Sequence, residues 1–171
     1  MRHAPLLALA LLAACSGAAP RAATKAPEAG ATGTPTPAPR VMDAAHLLTP
    51  EEIKTITAKA ASLEQRTKRL FIVVTVTSLG GQDISKYSEA LGNRFVPLHG
   101  GVNDGVLLVV APNERAVRIA VGSGLRKQLT DAEAKAIVEQ TLLPSFKAKH
   151  FGEGIAKGSD RIMSEISETG A

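Results

Sequence analysis

Residues 70–77 read LFIVVTVT and residues 105–111 read GVLLVVA. Neither run alternates apolar with polar side chains, so neither fits a strand with one wet face. Each has the near-continuous β-branched pattern of a strand covered on both sides. Between them, Gly80-Gly81 marks a turn, and Asp83 can cap a helix whose stripe is Ile84, Tyr87, Leu91 and Phe95. A buried strand, a crossover helix and a second buried strand make a right-handed βαβ unit with parallel strands. Pro112-Asn113-Glu114-Arg115 then turns the chain. Residues 116–121 alternate Val117, Ile119 and Val121 with Ala116, Arg118 and Ala120, which predicts an antiparallel strand returning beside the second.

Helices are expected on either side of this unit. Thr49-Pro50-Glu51-Glu52 is a helix start: Thr49 caps, Pro50 takes the first helical position and Glu52 completes a capping box. Leu48 and Ile53 form the staple, and Ile53, Ile56, Ala60 and Leu63 share a face, so the helix runs to about Arg66. Thr130-Asp131-Ala132-Glu133 repeats the capping box and opens a helix with Ile137, Val138 and Leu142 inward, which Pro144 ends or kinks. A last helix is expected over residues 152–167, with Ile155, Ile162 and Ile166 on one side. The predicted fold is a three-layer α/β/α sandwich around a small mixed sheet.

The chain has 171 residues with 20 Lys and Arg against 16 Asp and Glu, a net +4. Residues 1–40 carry +3 of this and residues 41–171 only +1, so the folded part is nearly neutral. A nucleic-acid-binding domain concentrates basic side chains on one face, and aromatics at 3% leave no stacking platform for single strands. The one cysteine, Cys15, excludes an internal disulfide and a Cys-rich zinc site.

Residues 1–14 read as a secretory signal, with Arg2 ahead of an apolar run over residues 4–14. That run is far below the ~20 residues a spanning helix needs. It stops at Leu12-Ala13-Ala14-Cys15, which resembles a bacterial lipobox; in such signals the cysteine becomes the acylated first residue. The alternative is cleavage after Ala18 or Ala19, with Cys15 lost. Several acyl chains anchor stably where one is marginal. Ser16, in place of an Asp, favours the outer membrane in a two-membraned host, facing the periplasm. Residues 16–40 are rich in Ala, Pro, Gly and Thr and read as an unstructured tether, expected to reach at most ~80 Å. The organisation is thus signal (1–14), lipidated cysteine and tether (15–40), and domain (41–171).

The folded part resembles the TPM domain family. The resemblance rests on Val41-Met42-Asp43 ahead of Leu47-Leu48, then on Asn103-Asp104-Gly105-Val106-Leu107-Leu108. It continues through Arg118-Ile119, Gly122-Ser123-Gly124-Leu125, Leu129-Thr130-Asp131, Pro144-Ser145-Phe146 and Gly154-Ile155. The resemblance implies a secreted or membrane-attached domain. It also implies calcium or magnesium binding and weak acid phosphatase activity, as in some members, or assembly and repair beside membrane complexes, as in others. Two positions depart from the family pattern. Asn103-Asp104-Gly105 stands where members often have Asp-Asn-Gly, and Arg126-Lys127 stands where an acidic residue and a glycine are common.

Geometry adds its own argument. A hairpin centred near Asn113 places Asp104 beside Gly122, Ser123 and Gly124, and the helix opening at Thr130 brings Asp131 and Glu133 to the same edge. Hard cations want several oxygens, which Asp104, Asp131, Glu133, the Asn103 carbonyl and the Ser123 hydroxyl could supply. The competing reading makes Asp104 a turn residue and Asp131 and Glu133 helix-capping groups. Asp43 joins the cluster only if residues 41–48 run back across the sheet; otherwise it serves a cap or turn.

Ligands usually bind at the carboxyl ends of parallel strands in open sheets. Here Ser78-Leu79-Gly80-Gly81 and Asn113-Glu114-Arg115 occupy that edge without a phosphate-cradling pattern. No nucleophile elbow is present, and His46, His99 and His150 are scattered. The first expectation is a lipid-anchored envelope module that binds or assists a protein partner in a membrane complex. The second is a low-activity, divalent-metal-dependent phosphomonoesterase, and the third a structural envelope protein.

Overall fold

All six side chains of Leu70–Thr75 are buried, the outcome of a strand sandwiched between two layers. The computed structural model describes residues 39–96, 101 and 103–167; the signal, Cys15, nearly all of the tether and His99 lie outside the described residues. Four strands form one sheet in chain order: β1 (Val41–Asp43), β2 (Leu70–Thr75), β3 (Gly105–Ala111) and β4 (Ala116–Val121). β2 and β3 are parallel, with Leu70 opposite Gly105 and Val74 opposite Val109. β4 returns antiparallel to β3, with Leu108 opposite Ile119.

β1 is an addition to the strands the sequence predicts. It lies parallel to β2, with Val41 opposite Val73 and Asp43 opposite Thr75. Three residues are too few to show a period, so only the neighbouring edge of β2 reveals that they are extended. β2 also stops at Thr75, two residues before its apolar run ends, although the Val76 N–H still donates to the Val110 carbonyl (2.9 Å).

The period of two along each strand divides the interior. Phe71, Val73, Val106, Leu108, Val110 and Ile119 face a core completed by α1 (Pro50–Thr67), α3 (Asp131–Ile137) and α5 (Phe151–Ser167). Leu70, Ile72, Val74, Leu107, Val109 and Ala111 face a smaller core completed by α2 (Ile84–Phe95). Each fully buried Phe, Leu, Ile or Val contributes about 1.5–3 kcal/mol of transfer free energy. The first face therefore holds most of the stability, while the second is covered by one helix alone.

The expected caps form. Thr49 and Glu52 make a reciprocal capping box at α1, Thr130 and Glu133 another at α3, and the Asp83 carboxylate accepts from the Ser85 N–H (2.8 Å) at α2. α1 ends with Lys68 in the left-handed region at φ 62°, its N–H returning to the Glu64 carbonyl. After α3 the chain makes a π-helical turn over residues 138–142 and continues as α4 (Leu143–Lys147). Pro144 lacks the N–H that a regular turn would donate, and the wider turn just before it accommodates the loss. A Cβ on Gly158 would stand 2.7 Å from Leu142 Cδ2, and one on Gly154 2.8 Å from Ser145 Cβ. Those two glycines let α5 press against the segment of residues 142–146.

Candidate functional site

The site begins where β3 starts. The Gly122 N–H donates to the Gly105 carbonyl (2.8 Å), and the Gly124 N–H donates to the Asn103 carbonyl (2.9 Å). The hairpin thus continues past β4 and brings Asn103 and Asp104 against Gly122, Ser123 and Gly124. A Cβ on Gly122 would lie 2.5 Å from both Asn103 oxygens, and one on Gly124 would lie 3.4 Å from the Asp104 Cβ. No side chain fits between these two segments, which is why glycine is needed at position 122 despite an ordinary φ of −62°.

Beside this turn, α2 and the sheet enclose a groove of ≈ 320 Å³, the lower end of the range for small-ligand sites. Its floor is Ile72, Leu107 and Ala120; its α2 wall is Ser88, Glu89, Gly92 and Asn93; its other wall is Arg118, Ser123, Arg126 and Asp131. The hollow exists because small residues meet there. Ser88 and Gly92 lie one turn apart on α2, and Ala120 faces them from β4. Sequence reasoning followed the apolar stripe of α2 and missed Arg118, Ser88, Glu89, Gly92 and Asn93. The signal was present in the paired small residues at matching positions of helix and strand.

The candidate carboxylates are divided among several places. Asp131 opens α3 and lines the groove, but Asp104 is not among the lining residues. Glu133 is committed to its cap: its Oε2 accepts from the Thr130 N–H and hydroxyl at 2.8 Å each. Those two donors, the N–H first, hold its carboxyl below the ordinary Glu range. Asp43 sits at the carboxyl end of β1, the edge opposite the start of β3. Its carboxylate accepts from the Leu47 and Leu48 N–H groups at 3.0 Å each and from the Thr75 hydroxyl. Asp43 is therefore a clamp on the turn that leads into α1.

Among the described residues, no three His, Cys, Asp or Glu side chains converge as a metal-binding group. Of the oxygen-bearing residues named from the sequence, Asn103, Ser123 and Asp131 line the groove, Asp104 adjoins Gly124 behind it, and Glu133 is engaged by its cap. The three that line the groove are fewer protein ligands than a calcium cage provides, and Arg126 lines the same groove.

The opposite edge, where open sheets usually bind ligands, is closed by its own side chains. Glu114 accepts from the Leu79 N–H and the Ser78 hydroxyl at 2.8 Å each, and the Asn113 amide donates to the Thr77 carbonyl (2.6 Å). The Leu79 N–H, followed by the Ser78 hydroxyl, holds the Glu114 carboxyl below its ordinary range. Gly80 and Gly81, at φ 61° and 77°, make the turn that these bonds fasten. A shallower hollow at the starts of α1 and α5 holds His46, Glu52, His150 and Glu153. There Lys157, 2.6 Å away, holds the Glu153 carboxyl low.

A family model described as the TPM domain matches residues 41–165. No curated protein matches the chain. Among solved structures, the N-terminal domain of a P. gingivalis protein is similar at TM-score 0.70 and 24% identity, over 75% of this chain and 82% of that one. The N-terminal domain of the cg2496 protein from Corynebacterium glutamicum is similar at 0.60 and 19%, over 82% and 89%. The BA42 protein from the psychrophilic Bizionia argentinensis is similar at 0.58 and 19%, over 70% and 81%. At these identities the likeness speaks for the fold.

Proposed function

Because this chain belongs to the TPM domain family, we propose that it is a membrane-tethered binding module of the cell envelope, with the α2–β4 groove as its binding surface. The observation that carries this reading is the groove itself. It lies on the face that a single helix leaves partly uncovered, while the edge usual for ligands is fastened by Glu114 and Asn113. The anchor is Cys15, acylated after signal cleavage, and the tether over residues 16–40 keeps the domain within ~80 Å of its membrane. Among the described residues no helix is long and apolar enough to cross a membrane. The test is site-directed photo-crosslinking in native envelopes, with the probe at Asn93 in the groove or at Lys59 on α1. One discrete protein adduct from position 93 and none from position 59 supports the reading. Equal labelling from both positions would count against it.

A second reading, a weak divalent-cation site with low phosphomonoesterase activity, is favoured by the gathering of both Asn103 oxygens and the Gly105 carbonyl against Gly122, with the Asp104 Cβ beside Gly124. Turnover of p-nitrophenyl phosphate that needs magnesium and is lost in Asp104→Ala would move this reading ahead of the first.

A further inference from the structure

β4 is the last strand of the sheet, and among the described residues no strand pairs with its outer edge. The hydrogen bonds from Gly122 to Gly105 and from Gly124 to Asn103 set the alternation of the hairpin. Ala116, Arg118 and Ala120 therefore bond to β3, while the N–H and C=O groups of Val117, Ile119 and Val121 point away from the sheet. Among the described residues none of these outward groups has a hydrogen-bond partner. Sheet edges are commonly blunted by shortness, charged side chains, proline, a bulge or a covering helix or loop. β1 is blunted by its length of three residues. β4 has six residues without proline, glycine or lysine, carries Arg118 as its one charge, and pairs in unbroken register with β3.

Charge identifies what fits this edge. Arg118 lies on the α2 side of β4, and Arg126 stands farther along the same wall of the groove. Both are exposed; Arg118 acts on the Asp83 carboxylate and the groove also holds Glu89 and Asp131, yet neither arginine closes an ion pair among the described residues. The opposite face of β4 carries Val117, Ile119 and Val121, packed against the larger core. A strand added beside β4 would continue both faces, with carboxylates toward the arginines and apolar side chains on the other side.

We infer that β4 receives an extended segment of a partner protein by strand addition, the segment bearing acidic side chains at alternate positions. The inference rests on the binding-module reading and names the chemistry of its partner. A second copy of this chain fits less well. A two-fold pairing of β4 with itself keeps both α2 faces on one side and draws the two Arg118 side chains together.

The test uses the purified full chain carrying Cys15→Ser, so that no lipid is present, with acetylated and amidated (Val-Glu)4 as probe. Amide hydrogen exchange at Val117, Ile119 and Val121 should slow at least about tenfold when the peptide binds. (Val-Lys)4 should give no protection, and neither should (Val-Glu)4 with alternate backbone nitrogens methylated. Arg118→Glu should exchange the preference, so that (Val-Lys)4 protects and (Val-Glu)4 does not. Unchanged exchange with (Val-Glu)4, or equal protection by the lysine peptide, would overturn the inference. Protection that appears without peptide and grows with protein concentration would assign the edge to a second copy and overturn it as well. An adduct from position 93 in envelopes, together with unprotected β4 amides, would leave the binding-module reading standing and remove this one alone.

Discussion

Asn103 and Gly122 approach so closely that both oxygens of Asn103 stand 2.5 Å from the point a Cβ at position 122 would occupy. One of those oxygens and the nearby Gly105 carbonyl belong to the backbone, so an added methyl could not be relieved by rotating a side chain. Gly122→Ala should destabilise the domain by about 1–3 kcal/mol, seen as a lower midpoint in urea with an unchanged slope. Gly92→Ala is the control. A Cβ there meets nothing within 4 Å, and an alanine inside α2 should stabilise by about 0.5–1 kcal/mol.

Asp43 is predicted to matter for stability and for nothing else. Its carboxylate satisfies two backbone N–H groups and the buried Thr75 side chain at the entrance to α1. Asp43→Ala should cost about 2–4 kcal/mol in urea unfolding, because the donors lose a charged acceptor. Cation binding and groove labelling should stay as they are in the unsubstituted chain.

The fold was readable from the sequence because the strand runs are long and the caps are explicit. LFIVVTVT and GVLLVVA could hardly be anything but doubly covered strands, and Thr49 with Glu52 and Thr130 with Glu133 announce two helices. β1 was hidden because three residues carry no period. The π-helical turn was hidden because Pro144 shows only that regular geometry must give way nearby. The site was less legible. The closeness of Asp104 to Gly122, Ser123 and Gly124 followed from the hairpin turn. The division of duties among the carboxylates did not, since capping, clamping and ligand binding use the same residue types. The groove arises where small residues on α2 and β4 face each other, a relation between elements far apart in the chain.

Protonation should loosen the edge fastened by Glu114. Its carboxyl is held below the ordinary range in the folded chain, so its bonds stabilise fully above the unfolded value of about 4.3 and are lost as pH falls through the lower folded value. The thermal midpoint of Glu114→Gln should therefore lie below that of the unsubstituted chain at pH 7. The gap should close as both are acidified toward pH 3. A gap that stays constant across the range would show that the carboxylate charge is not what holds the loop.

Any calcium binding should depend on one carboxylate more than on the others. Millimolar calcium added in a titration calorimeter should give heat that Asp104→Ala removes, while Asp43→Asn and Glu133→Gln leave it in place. Both of the latter groups are already engaged by backbone donors. Heat lost in Glu133→Gln as completely as in Asp104→Ala would mean that the capping box opens to bind the ion.

The anchor has its own readout. Cys15→Ser should move the chain from the membrane pellet to the soluble fraction of disrupted cells. A chain that remains in the pellet would place the attachment somewhere other than the acylated cysteine.

If the groove between α2 and β4 is where this module meets its partner, a bulky side chain that fills the groove must block the contact. Ala120→Trp, combined with a photo-crosslinking probe at Asn93, should abolish the adduct in native envelopes while circular dichroism shows the fold intact. An adduct of undiminished yield from a folded Ala120→Trp chain would mean that the partner docks elsewhere on the domain.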